Sequence, residues 1–163
     1  MKFVWVCLIT IMLSACGFHL RGSRPIPPAL QTLQLESHQP NDAFTKTLKQ
    51  YLNNVGIQLT DKADHPQLRL ISAASASNPG SMTPSSQTRE YRLTFTLQYQ
   101  LNDAKGTTIQ PSRSIMATRT LLLNTNRMLG STSEEQTLYH EMHVEIARRL
   151  VDQLTAPRIA KKL

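Results

Sequence analysis

Residues 92 to 101 read RLTFTLQYQL. Leu93, Phe95, Leu97, Tyr99 and Leu101 fall on one parity, and Arg92, Thr94, Thr96, Gln98 and Gln100 fall on the other. Apolar side chains at a period of two scatter around a helix but line one face of a strand. The chain is therefore committed to a sheet with one apolar face, and other elements must cover that face. The stretch NDAKG turns the chain back, with Lys105 and Gly106 at its tip. Residues 107 to 123 then read as the return strand, with Pro111 near an edge or a bulge. Within it, SIMATRTLLL alternates poorly, because Arg119 shares the parity of Ile115, Ala117, Leu121 and Leu123. That irregularity predicts a bulge or twist at Arg119.

The flanking segments supply the cover. LQTLQLE, residues 30 to 36, is a short half-buried strand with Leu33 and Leu35 on one side. SHQPND is a turn that offers Asn41 or Asp42 as a helix N-cap. Phe44, Leu48, Tyr51 or Leu52, and Val55 follow at helical spacing, with Lys46 and Lys49 off the stripe, and Gly56 ends the helix. GIQL hints at a brief extended segment. PQLRLISA, residues 66 to 73, is a further strand. Residues 74 to 87, ASASNPGSMTPSSQ, read as a long loop rich in Ser, Pro and Gly. NTNRMLGSTSEEQ reads as a second loop, with capping boxes starting at Ser131 or Thr132. A last helix is predicted from about 133 to 155. Its inward stripe is Leu138 or Tyr139, Met142, Ile146, Leu150 and Leu154, and Pro157 stops it.

The order is β-α-β-β-β-α. The fold class is α+β: two helices packed on one face of a mixed, roughly four-stranded sheet. A chain of 163 residues holds one such domain with a real core. Its expected limits are 30–156, followed by a basic C-terminal tail at 157–163.

The N-terminus reads differently. Lys2 precedes the uncharged apolar run FVWVCLITIML, which suits a secretory signal and is too short to span a bilayer. Leu13, Ser14, Ala15 and Cys16 resemble the bacterial lipobox. On that reading residues 1–15 are a signal peptide that is removed, taking Cys7 with it. Cys16 becomes the mature N-terminus, carrying an N-acyl group and an S-diacylglycerol lipid. No thiol pair is left for an internal disulfide. Several acyl chains on one residue anchor stably where one would be marginal. Residues 16–29, with their prolines and glycines, form a tether. Gly17 is compatible with export to the outer membrane, where an Asp would resemble an inner-membrane retention signal.

Charged residues are 18% of the chain, below the roughly 25% usual for soluble domains, and the net charge is +7. A basic protein favours polyanions. Export to the periplasmic side argues against nucleic acid and leaves a phosphorylated glycolipid as the available anion. Arginine suits phosphate by bidentate pairing. With both helices on one sheet face, the other face shows Thr94, Thr96, Gln98 and Gln100, uncharged apart from Arg92. Such a face is either simply solvated or a contact surface that meets a polar partner without stranding charge.

Catalytic patterns are lacking in the sequence. There is no G-x-S-x-G, C-x-x-C or phosphate-cradling glycine loop. His140-Glu141-Met142-His143 is one residue short of the zinc-protease helix, which needs His at i and i+4. His140 and His143, at i and i+3, can still share a helix face; they read as part of a solvated face, with a metal site as the alternative, and no metal or other cofactor is expected.

With the lipobox, CGFHLRG, QTREYRLTFTL and EEQTLYHEMHVEIARRLVDQL in view, the chain resembles the lipopolysaccharide-assembly lipoproteins of the LptE family over roughly residues 13 to 155. CGFHLRG is the most specific piece. The resemblance implies a non-enzymatic outer-membrane lipoprotein, lipid-anchored on the periplasmic side. It implies a 1:1 partnership with an LptD-like β-barrel, whose lumen the protein plugs and whose assembly it helps. It also implies binding of lipopolysaccharide for insertion into the outer leaflet. Family members carry basic residues near the loop before the third strand and the loop before the last helix. Here those positions offer Arg89 and Arg92, and Arg127. The lysine expected near the start of the last helix is absent; Thr132 and Ser133 stand there. A glycolipid-binding lipoprotein working without a barrel is the alternative.

Overall fold

The computed structural model describes residues 26–39, 41–80, 88–124 and 128–160. The expected signal segment, Cys16 and the expected tether as far as residue 25 lie outside them, as do residues 81–87 and Arg127. A 3-10 turn at Pro28–Leu30 leads into β1 (Thr32–Ser37), α1 (Ala43–Asn54), β2 (Gln58–Thr60) and β3 (Gln67–Pro79). Then come β4 (Thr88–Asn102), β5 (Thr108–Asn124), α2 (Met128–Leu154) and the short α3 (Pro157–Ala160). The strands form one mixed sheet in the order β2-β1-β3-β4-β5. β1 is parallel to β2 and β3, and the β3, β4 and β5 pairings are antiparallel. The fifth strand is the short segment after Gly56, which pairs with β1 through Thr32↔Gln58 to Gln34↔Thr60.

α1 and α2 pack against each other and on one face of the sheet. Leu33, Leu68, Leu70, Leu93, Phe95, Leu97, Tyr99, Leu101, Ile115, Ala117 and Leu121 turn toward them and are buried. From α2, Met142, Ile146, Leu150 and Leu154 meet this layer, as the helical spacing predicts. Phe44 of α1 lies 5.0 Å, centroid to centroid, from Phe95 of β4, which ties the helix layer to the sheet centre. Tyr99 stays buried because its hydroxyl donates to Gln153 Oε1 at 2.5 Å, leaving no stranded polar group.

Local chemistry explains the helix ends. Asp42 is the N-cap of α1, and its carboxylate accepts from the Thr45 amide at 2.6 Å. Gly56 closes the helix with φ +90°, a conformation that only glycine adopts without strain.

Three expectations are corrected. Residues 74–79 are not loop. They continue β3 and pair with β4 as far as Pro79↔Tyr91. Both sides of this strand tip are exposed, so no apolar alternation marks it and backbone pairing alone makes it a strand. Next, α2 starts at Met128 rather than near 133, so Ser131 and Thr132 lie inside the helix and do not cap it. A capping box is a local option that helix propagation overrides when the preceding residues are also helical.

Finally, β5 keeps an unbroken register through Arg119, from Arg113 to Asn124. Its irregularities fall instead between Thr108 and Arg113, around Pro111. Arg119 does turn to the helix-covered face, where Glu145 of α2 meets it at 2.6 Å. An ion pair, not a bulge, accommodates the misplaced charge.

The ordered body also reaches past residues 30 and 156. Ile26 packs against the core at one end. Ile159 of α3 is buried at the other, so part of the basic tail is folded.

Candidate functional site: the open sheet face

Every side chain of opposite parity looks away from the helices. No strand or helix of the described residues covers that side. On β4 it presents Arg92, Thr94, Thr96, Gln98 and Gln100. The register sets Thr94 between Ala76 and Thr118, Thr96 between Ala74 and Met116, and Gln98 between Ser72 and Ser114. On β3 and β4 the face is thus small, neutral and polar, while β5 adds the exposed Met116 and Leu122.

Toward the β4–β5 turn, amides knit the strands together. Gln100 Nε2 donates to Asn102 Oδ1 at 2.9 Å and to Thr108 Oγ1 at 3.0 Å. Asn102 Nδ2 donates to Gln67 Oε1 at 3.3 Å, and Gln67 Nε2 to Gln34 Oε1 at 3.4 Å. This chain of side-chain hydrogen bonds crosses β5, β4, β3 and β1. It ties the strands together and satisfies Asn102, which is only 8% exposed.

The face is not wholly free of charge. Glu36 and Arg69 sit opposite each other in the parallel β1–β3 register and form a two-pronged pair, at 2.8 and 3.1 Å. The Arg69 hydrogen bond holds the Glu36 carboxyl below its usual range. Sequence reading missed this pair, because only the strand register brings residues 33 positions apart together. The pair is self-neutralising, so the face keeps its neutral character.

The expected site residues are placed unevenly. Arg89 and Arg92 are both exposed, but their odd spacing puts them on opposite sides of β4. Arg92 lies on the open face opposite Thr120, whereas Arg89 has the helix-side parity opposite Leu123. They flank one end of the strand and do not form one patch on one face. Arg127 and Cys16 lie outside the described residues.

His140 is exposed, as expected, but His143 is not. It is 8% exposed and lies edge-on to Phe95 and Phe44, with centroids 4.4 and 5.6 Å away. Burial lowers its pKa. The two histidines therefore do not share a solvated face; His143 is a core residue. Among the described residues, no group of three or more His, Cys, Asp or Glu could hold a metal ion. No helix among them is long and apolar enough to cross a membrane.

Comparison with known proteins gives consistent matches. The family model LptE, Lipopolysaccharide-assembly, matches residues 30–154. The LPS-assembly lipoprotein LptE of Pectobacterium atrosepticum is 32% identical over 150 residues, which are 90% of this chain and 80% of that protein. Its counterpart in Photorhabdus laumondii is 32% identical over 157 residues, 95% of this chain and 85% of that protein. Among solved structures, a lipoprotein B from Nitrosomonas europaea superposes with a TM-score of 0.71 at 21% identity, covering 86% of this chain and 91% of that one. The rare lipoprotein B of Shewanella oneidensis gives 0.69 at 20% identity, covering 81% and 99%. These structural likenesses establish a shared fold.

Proposed function

Because the chain belongs to the LptE lipopolysaccharide-assembly family, we propose that it is a non-catalytic lipoprotein of the outer membrane. It is anchored through lipid on Cys16, on the periplasmic side. It forms a 1:1 complex with an LptD-like β-barrel, which it plugs and helps to assemble, and it binds lipopolysaccharide on its way to the outer leaflet. The observation that carries this reading is the open sheet face. Its β3 and β4 surface of Thr, Ser, Ala and Gln, tied by an amide network, suits the polar interior of a large membrane barrel. It can enter such a lumen without burying an unpaired charge at its centre.

Arg92 at the rim of this face and Arg89 behind it, together with Arg127 outside the described residues, would meet glycolipid phosphates. A tag on the full chain, used to purify it from detergent-solubilised outer membranes, should recover a large β-barrel protein in equal amount. Recovery of the chain alone would overturn the barrel partnership. Lipopolysaccharide binding by that lone chain would then favour the stand-alone glycolipid-binding lipoprotein.

A further inference from the structure

β5 is an edge strand. β4 lies on one side of it, and no strand of the described residues lies on the other. An edge of 17 residues is a template for pairing with another strand. Met116 and Leu122 on its open side, 57% and 58% exposed, add apolar surface to that hazard.

Two arginines occupy this edge. Arg149 of α2 reaches across and donates from Nη1 to the Met116 carbonyl at 3.1 Å. Arg119 donates from Nη1 to the Thr118 carbonyl at 3.0 Å. A single carboxylate holds both guanidinium groups. Glu145 gives Oε2 to Arg119 Nη2 at 2.6 Å and Oε1 to Arg149 Nη2 at 2.5 Å. Each arginine thus spends one nitrogen on Glu145 and one on a strand carbonyl. The Glu145 side chain is 18% exposed, and Glu141 stands 3.9 Å from Arg119 Nε.

We propose that Arg119, Glu145 and Arg149 form a clamp that closes the β5 edge against β5 of a second copy of this chain. A second copy supplies a strand of the same 17-residue length with the same two exposed apolar side chains. Antiparallel pairing about a two-fold axis at Arg119 sets Met116 of each copy opposite Leu122 of the other, and Thr118 opposite Thr120. It also brings the two Arg119 side chains together, and it requires Arg149 to leave the Met116 carbonyl. The clamp therefore opposes self-pairing by occupying acceptors and by placing like charge at the symmetry point.

The test uses the full chain, expressed and purified alone in detergent, with its protein mass measured by sedimentation. The unaltered chain should be monomeric. Arg149→Ala, an exposed helix position where alanine favours the helix, should double the mass at tens of micromolar protein. The amides between Met116 and Leu122 should gain protection from hydrogen exchange at the same time. Adding Thr118→Lys to Arg149→Ala should restore the monomer, because charge returns to the edge. A monomeric Arg149→Ala chain with unchanged exchange would overturn the proposal. Association that Thr118→Lys does not reverse would overturn it equally.

Discussion

His143 of α2 stands edge-on to Phe95 of β4, with ring centroids 4.4 Å apart, at the point where both helices meet the sheet. The imidazole is buried, and burial disfavours its charged form; Asp42 opposes that shift and His140 adds to it. Its folded pKa is therefore below the ordinary value of 6.5, so the unfolded chain binds the proton first. Stability should be complete above about pH 6.5 and should fall as pH drops from there toward the lower folded value. Urea unfolding midpoints at pH 7 and pH 5 should show this loss. In His143→Phe the loss over that range should shrink, because the titrating group is gone. An undiminished slope would assign the effect to other groups.

The alternation in β4 separates two neighbouring positions by function. Leu97 is fully buried, so Leu97→Ala should cost about 2–5 kcal/mol by chemical denaturation. Thr96 faces the other way, so Thr96→Lys should change stability by no more than about 0.5 kcal/mol. The same lysine would place an unpaired charge at the centre of the open face. It should therefore reduce co-purification of a barrel partner while the chain stays folded. Normal partner recovery with Thr96→Lys would remove this face from the interface.

Arg89 and Arg92 should be separable for the same geometric reason. Arg92→Glu alters the open face, and Arg89→Glu alters the opposite side of the strand. Lipopolysaccharide binding by the purified chain should weaken with either, and further with both. Equal binding by the double variant and the unaltered chain would exclude this strand end as the glycolipid contact.

Asp42→Ala should remove the cap on α1 and lower stability by about 0.5–2 kcal/mol, as measured in urea. Asp42→Asn should recover most of that, since its side-chain oxygen can still accept from the Thr45 amide.

Cys16→Ala should yield a chain with no attached lipid by mass spectrometry, and one that no longer fractionates with outer membranes. Retention in that fraction without lipid would place the anchoring elsewhere.

Much of the fold was legible because the relevant signals are local. The period of two in residues 92–101, the Asp42 cap, the Gly56 stop and the apolar stripe from Met142 to Leu154 each follow from a few neighbouring residues. What could not be read lies where a side chain's environment is set by remote partners. Residues 74–79 carry no alternation, and β4 alone makes them a strand. Arg119 looked like a fault in β5 because Glu145 is 26 positions away. His143 looked solvated by association with the exposed His140 three positions before it, while the rings that enclose it come from α1 and β4. Arg89 and Arg92 looked like one cluster until strand parity divided them.

The sequence by itself determined the sheet, its helical cover and the parity that turns Thr94, Thr96, Gln98 and Gln100 outward, because these follow from backbone periodicity. Only the tertiary structure decided which charges meet: Glu36 with Arg69 across parallel strands, and Glu145 with both Arg119 and Arg149 at the β5 edge. Ion pairs act over a few ångströms in space and take no account of distance along the chain, so strand register and helix packing had to be known first.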